Sequence, residues 1–321
     1  MSNIKRTKKN KKYNLVYMAK PVYGGWVSFT SHLALKKDYK LYRISNKTES
    51  KERPYGYGVN YRNLSIKDVV KLPNLLITAV DKKFYEYLPF IKGATIVIHD
   101  PTELKEEVLD FIKRNKVITI RKTVQKLLKE KHGIKSKFLY HPLYEFPFDK
   151  TSIKKKTRNI SISRVDFDKN THLIVEANNK LAKKNQVEIY GALNDLYIYH
   201  KLRHTNFSKY YKGKFGKDFE DLTGLLDNCK YMVDLSSIKN DGGGSQYTFL
   251  EAIYMDCILV LNSKWVDNVK TPFKDGVNCF VVSSSEELVK LLKTDISEKK
   301  HKQITTNAKK LLKDHTSSRG W

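Results

Sequence analysis

Asp241-Gly242-Gly243-Gly244-Ser245-Gln246-Tyr247-Thr248-Phe249-Leu250-Glu251 runs into an apolar helical pattern that ends near Cys257. Residues 231–235 before it and 257–262 after it are short apolar runs of strand length. The segment therefore reads strand, glycine loop, helix, strand. Successive glycines let a backbone come close to a bulky ligand and leave its amides unshielded. A helix starting just beyond them points the positive end of its dipole at the same place, which suits a phosphate. Glu251 falls about two turns into that helix, where a carboxylate can accept hydrogen bonds from ribose hydroxyls. Two readings stand here: a nucleotide site, or an ordinary glycine-rich connection followed by a solvated Glu.

Working outward, the same alternation recurs. Residues 13–18 form a β-rich run, Gly24-Gly25 a loop and residues 27–36 a helix, the opening of a doubly wound sheet. Strands are predicted at 41–44, 75–79, 95–99, 117–120 and 137–140, with helical stretches at 82–91, 103–114 and 124–132, the last ended by Gly133. A polar, Lys-rich linker spans 149–159. A second alternating series follows: strands at 160–163, 187–190, 210–213 and 279–282, and helices at 171–183, 219–228, 284–292 and 298–314. Strands separated by helices call for a parallel sheet covered on both faces. The expectation is an α/β protein with a basic tail at 1–12, Rossmann-like domains at 13–150 and 151–300, and a closing helix at 301–321 that packs against the first domain.

The chain has 321 residues, 61 Lys and Arg against 34 Asp and Glu, and a formal net charge of +27. A codon bias toward Lys would raise Glu as well, so the imbalance favours a polyanionic partner, with nucleic acid ahead of a membrane surface. The competing account is a merely basic soluble protein. Cys229, Cys257 and Cys279 are scattered and include no C-x-x-C pair, which suits apolar fillers in a reducing cytoplasm. No apolar run approaches membrane-spanning length. The basic leader is read as a disordered tail, with a nuclear address and a DNA-contacting arm as its alternatives. The nine His show no metal-ligand spacing, and no metal is expected.

His99 and Asp100 stand at the carboxyl end of a predicted strand, where open α/β sheets present functional groups. An imidazole beside a carboxylate can handle a proton or hold a hydroxyl; the plainer account is a turn that caps a helix. Arg164 follows the strand at 160–163, and Lys169 comes five residues later. A rigid fork and a point charge at a strand-to-helix junction suit a diphosphate. Basic and aromatic residues interleave at 53–62, from Arg53 to Arg62, and again at 197–217, around Arg203. Their rings either stack on bases beside phosphate-binding cations or pack on the core.

Assembled, these pieces resemble the retaining GT-B glycosyltransferases, which have two Rossmann-like domains, a nucleotide-sugar cleft between them and a C-terminal helix that crosses back. Ser163-Arg164-Val165 and Lys169-Asn170 stand where that family opens its second domain, and Leu250-Glu251-Ala252 matches the end of its E-x7-E motif. The first acid of that motif falls at Gly243. Within the family the chain is similar to the DNA α-glucosyltransferases of T-even phages. That likeness rests on Met18-Ala19-Lys20, Gly24-Gly25-Trp26-Val27, Val97-Ile98-His99-Asp100, Tyr247-Thr248 with Leu250-Glu251, and residues 312–318.

The resemblance implies a cytoplasmic, monomeric phage enzyme with no tightly bound cofactor, moving glucose from a UDP-sugar to hydroxymethylated bases of duplex DNA. It makes His99 and Asp100 the catalytic candidates, Asp100 engaging the acceptor hydroxyl. Arg164 and Lys169 take the donor diphosphate and Glu251 the ribose, with Gly24, Gly25, Gly243, Gly244, Tyr247 and Thr248 completing the donor set. Trp26, Arg53, Arg62 and Arg203 are the candidate DNA contacts. The alternatives are a transferase acting on a glycan or a viral structural protein, and a DNA-binding protein whose sugar site has decayed.

Overall fold

The computed structural model describes residues 12–20, 24–147, 152–214, 219–237, 246–268 and 271–321. They form two compact units, one running through Tyr144 and including Arg319–Trp321, the other spanning Glu145–Ser318.

The first unit holds eight strands: β1 (Asn14–Met18), β2 (Lys40–Ile44), β3 (Glu52–Gly56), β4 (Val59–Leu64), β5 (Leu75–Val80), β6 (Thr95–Ile98), β7 (Lys116–Thr119) and β8 (Lys137–Phe138). Their order in the sheet is β3-β4-β2-β1-β5-β6-β7-β8. Every pairing is parallel except β3 with β4. Leaving out β3, this is the doubly wound order, which reverses direction between β1 and β5. β5 and β6 are buried along their whole length, and β1 is buried after Asn14. Central strands of a parallel sheet covered on both faces require such unbroken apolar runs. Val16, Met18, Ile77, Ile96, Phe111 and Leu128 lie in one core with helices Glu106–Arg114 and Lys122–His132.

The segment at 53–62 is an antiparallel hairpin. Tyr57 and Gly58 turn it with φ of 58° and 72°, the left-handed pair that matches strand twist. Tyr57 tolerates that conformation because its buried hydroxyl lies 2.8 Å from Ser28 Oγ. Tyr55 and Tyr57 are both buried, so the core-packing alternative describes them and their rings offer no face to a base. Arg53 is held by Glu49 at 2.7 Å, and Arg62 lies 3.7 Å from Glu52.

The second unit has six strands: β9 (Arg158–Ile162), β10 (Val187–Tyr190), β11 (Tyr211–Gly213), β12 (Cys229–Asp234), β13 (Ile258–Asn262) and β14 (Phe280–Val282). The order β11-β10-β9-β12-β13-β14 is wholly parallel and reverses between β9 and β12. Both sheets thus have the Rossmann-like winding read from the alternating pattern. Val187, Ile189, Tyr231, Val233, Ile258 and Val260 form the centre of its core.

Several helices differ in extent from the sequence reading. The stretch expected at 103–114 starts at Glu106, because Asp100 caps a separate 3-10 turn, Pro101–Glu103. The helix expected at 171–183 stops at Asn179. The terminal helix Glu298–Lys309 buries His301, Ile304, Thr305 and Ala308 within the second unit. His301 Nε2 meets Asp256 O at 3.0 Å, and Lys309 pairs with Asp256 at 2.6 Å. Ser318, at φ 41°, ends the last helical turn. Trp321 then packs in the first unit, its ring 5.4 Å from Phe29 and its indole N–H donating to Tyr140 O at 2.9 Å.

Candidate functional site

Open parallel sheets bind ligands outside the carboxyl ends of their strands, at the point where strand order reverses. Each unit is described at that edge by itself.

In the first unit, Asp81 ties the ends of β1 and β5 together. Its backbone N–H donates to Met18 O at 2.9 Å, and its carboxylate accepts from Lys20 N at 2.6 Å and Lys83 N at 3.0 Å. Helix Gly25–Lys37 begins beside this edge from Gly24, which has φ 96° and no capping side chain. A Cβ at Gly24 or Gly25 would meet nothing within 4 Å. Among the described residues nothing crowds these two positions, and no acidic residue in the first turn occupies the positive end of the dipole.

His99 follows β6 and is buried. Its Nε2 lies 2.7 Å from Thr78 O; a carbonyl only accepts, so Nε2 carries the proton and Nδ1 the lone pair. Burial pushes the imidazole pKa down to about 4, helped by the charge of Arg121 and opposed by the Thr78 contact and Asp100. The ring is therefore neutral at pH 7, wedged edge-on against Phe29 at 4.8 Å. Asp100 performs the capping task named as its plainer account: Oδ1 accepts from Thr102 N at 2.8 Å and from the Thr102 hydroxyl. Oδ2 makes no hydrogen bond among the described residues. A capping Asp can still present its second oxygen outward.

Glu103, absent from the sequence candidates, joins these groups. Its carboxyl accepts from Trp26 Nε1 at 3.0 Å and from His99 N at 3.1 Å. Desolvation, with the neighbouring Asp100 charge, pushes its pKa up to about 8. Trp26 is thereby fixed at the head of its helix rather than free to swing.

In the second unit, loops from three strands are laced together. Val165 N donates to Ala192 O at 2.8 Å and Asn194 N to Val165 O at 3.0 Å, binding the ends of β9 and β10. Gly191, at φ 151°, makes this approach possible: a Cβ there would lie 1.8 Å from Ser163 O. Asn170, left-handed at φ 50°, donates to Leu235 O and Ser237 Oγ, joining β9 to β12 across the reversal.

Lys169 sits at that reversal and is buried. Its ammonium donates to Ser236 Oγ at 2.9 Å and lies 3.7 Å from Asp168. The Ser236 hydroxyl donates to Asp234 Oδ1, which also accepts from Ser236 N at 2.9 Å. Asp234 Oδ2 is buried without a hydrogen-bond partner among the described residues. The chain Asp234–Ser236–Lys169 thus fixes the direction of one N–H of the ammonium. Arg164, 63% exposed, pairs with Asp166 at 2.9 Å and Asp168 at 3.7 Å. Exposed pairs of this kind are worth about 0–1 kcal/mol, so a phosphate can displace them.

Glu251 and Tyr247 are buried and Thr248 half-buried on helix Gln246–Tyr254, so Glu251 is not the solvated Glu of the bland reading. Gly243 and Gly244 lie outside the described residues. The structure brings Trp26 to His99, with ring centroids 6.3 Å apart and Asp100 adjacent in the first unit, and keeps Arg164 and Lys169 on either side of Asp168 in the second. Glu103, Asp234 and Ser236 were missed. A Glu four residues beyond a strand-end His was visible, but its partner Trp26 is 77 residues away. Among the described residues no group of three or more His, Cys, Asp or Glu is arranged for a metal, and no helix is long and apolar enough to cross a membrane.

No protein-family model matches the chain, and no curated protein matches it in sequence. Solved structures match along nearly its full length. An alpha-glucosyltransferase in complex with UDP and a 13-mer DNA superposes with TM-score 0.67 and 13% identity, covering 96% of this chain and 97% of that one. Anabaena HepE in complex with UDP and glucose gives 0.65 and 14%, covering 95% and 96%. A glycosyltransferase from Rickettsia africae gives 0.59 and 16%, covering 96% and 95%. The two doubly wound units of this chain are those of the GT-B fold that these proteins share.

Proposed function

We propose that this chain is a retaining glycosyltransferase that moves a hexose, with glucose the first candidate, from a UDP-sugar to a hydroxymethylated base of duplex DNA. The observation that carries the transferase reading is Lys169, a buried cation at the strand reversal, aimed through Ser236 and Asp234, with Arg164 beside it. Lysines are almost never fully buried unless paired. A preorganised ammonium in such a place is suited to the charge that develops on a leaving diphosphate. Arg164 adds a second cation, and Glu251 takes the ribose end.

Retention follows when the acceptor attacks from the face the diphosphate leaves. The bond from the sugar C1 to the β-phosphate oxygen breaks, the bond from the acceptor oxygen to C1 forms, and the hydroxyl proton passes to the departing diphosphate. Asp100 holds the acceptor hydroxyl through its uncommitted oxygen. His99 serves as a fixed neutral ring in the wall of that site, its Nε2 proton committed to Thr78.

The DNA acceptor is supported by where the charge lies. Residues 1–144 carry 31 Lys and Arg against 12 Asp and Glu, whereas residues 145–321 carry 30 against 22. The larger excess in the first part comes chiefly from its fewer acids, which a codon drift toward Lys does not produce. One of the structural neighbours was solved with DNA bound. The test is the mass of duplex DNA containing 5-hydroxymethylcytosine after incubation with UDP-glucose, with unmodified duplex beside it. A gain of one hexose on the modified strand alone is expected. UDP-glucose binding without transfer to any DNA would withdraw the acceptor, and absence of UDP binding would withdraw the enzyme.

A further inference from the structure

The second unit carries a basic ridge that the donor site does not use. From Leu196 to Lys214 the chain contains Lys201, Arg203, Lys209, Lys212 and Lys214 and not one Asp or Glu. All five cations are exposed. None has a hydrogen bond to, or an ion pair with, a carboxylate among the described residues. Some exposed cations elsewhere are paired, Arg53 with Glu49, Arg164 with Asp166, and Lys180 with Glu286 at 2.6 Å; what sets this segment apart is the run of cations with no acid among them.

The local structure explains the arrangement. After β10, Asn194 caps a short helix, Asp195–Tyr197, which widens into a π-turn, Ile198–Leu202. Tyr197, Leu202, Phe207 and Tyr210 are buried and anchor the segment to the core. Between these anchors Tyr199 is left 56% exposed and Leu196 66% exposed. The Arg203 guanidinium lies over the Tyr199 ring, 4.4 Å from its centroid. A guanidinium resting on an aromatic face keeps its N–H edge free and loses less freedom when it meets an anion. Wide π-turns of this kind recur at functional sites.

We propose that the ridge formed by Tyr199, Lys201, Arg203, Lys209 and Lys212 is a nucleic-acid contact surface that grips the phosphate backbone of the duplex. It is a contact of the second unit, additional to whatever holds the reacting base. The proposal rests on the reading that DNA is the acceptor. Charge complementarity selects the occupant: four exposed cations in a stretch of chain without an acid match a row of phosphates. The tyrosine-supported guanidinium is a contact that neither an apolar partner nor a neutral glycan would need.

The test measures anisotropy of a fluorescein-labelled, unmodified 20-bp duplex from 50 to 200 mM salt. The variant Lys201→Gln/Arg203→Gln/Lys209→Gln/Lys212→Gln is compared with the charge-matched control Lys183→Gln/Lys184→Gln/Lys299→Gln/Lys302→Gln. Affinity of the wild type should fall steeply with salt. The ridge variant should bind at least about tenfold more weakly at 50 mM, with a log–log slope shallower by about 0.9 for each phosphate contact removed. The control should keep the wild-type slope. Tyr199→Ala should weaken binding a few-fold with an unchanged slope, since it removes the support of Arg203 and no charge. UDP affinity by calorimetry should be equal in all three variants and the wild type, which shows that they are folded. Equal slopes in ridge and control variants would overturn the ridge and leave the DNA acceptor standing. A wild type that binds UDP-glucose but no duplex at low salt would remove the acceptor reading and the ridge with it.

Discussion

The two units wind their strands in the same order but present opposite chemistry where the order reverses. Beyond β1, β5 and β6 of the first unit lie carboxyls and an imidazole, and burial holds two of them neutral: His99 pushed down to about 4 and Glu103 up to about 8. Beyond β9 and β12 of the second lies a buried lysine, Lys169, which donates to Ser236 and lies beside Asp168, Ser236 being held in turn by Asp234. Topology decides where a site can be. The handful of residues just past each strand end decides which charges it presents there.

The sharpest test of that division is Asp100→Asn. If the first unit handles the acceptor and the second the donor, turnover should fall by about 10²–10⁴-fold, the usual range for loss of a positioned proton-handling group. UDP-glucose affinity should stay within twofold. Near-wild-type turnover in that variant would strip the first edge of its catalytic role.

Lys169→Ala should do the reverse, weakening UDP binding by roughly ten- to a hundredfold, since a charge-assisted contact is worth about 1.5–3 kcal/mol. Arg164→Ala should cost less, because its carboxylate partners compete for it. Ser236→Ala should reproduce part of the Lys169 loss by leaving the ammonium unaimed. Calorimetry returning wild-type UDP affinity for all three would break the assignment of the second edge to the donor.

Two glycines sharpen the comparison at the level of the backbone. Gly191→Ala drives a Cβ into Ser163 O, so the second unit should lose roughly 2–4 kcal/mol from overpacking and strain, along with UDP affinity. Gly25→Ala meets only open space and should leave the melting temperature unchanged. Equal thermal stability of the two variants would show that the β9–β10 lacing is not needed.

The smallest effects are those of pH on stability. His99 is neutral in the fold down to about pH 4 but protonates near 6.5 when unfolded, so the unfolded chain binds more protons and stability should rise with pH across that window. Glu103 works the other way. It stays protonated in the fold up to about pH 8 while the unfolded group ionises near 4.5, so its contribution to stability falls as pH rises from 4.5 to 8, by at most about 1.4 kcal/mol per pH unit. Between pH 4.5 and 6.5 the two slopes cancel, so Glu103→Gln should expose the His99 rise there and flatten the decline above pH 6.5. Denaturant titrations at pH 5, 6.5 and 8 decide this. A fluorescence titration near pH 8 that is present in the wild type and lost in Glu103→Gln would report the same proton through Trp26.

The alternation of short apolar runs with helical patterns was enough to read two doubly wound units, because a parallel sheet needs buried strands and helices in turn, and both periods are local. Residues at the ends of those strands were legible for the same reason: His99, Asp100, Arg164 and Lys169 all stand just past a β run. What could not be read was which of them meet. Glu103 gains its role from Trp26, and Lys169 from Ser236, 67 residues away. Residue spacing along the chain carries no record of such contacts. The basic-aromatic segments make the same point. At 53–62 and 197–217 the compositions are alike, yet the first folds its tyrosines inward and pairs both arginines. The second keeps Tyr199 and the five cations from Lys201 to Lys214 in water. The sequence by itself determined the sheet winding, the strand-end candidates and the excess of positive charge. Only the tertiary structure decided which charges are neutralised, which carboxyl is held protonated and which basic surface is left unpaired, because each depends on burial and on partners brought from distant parts of the chain.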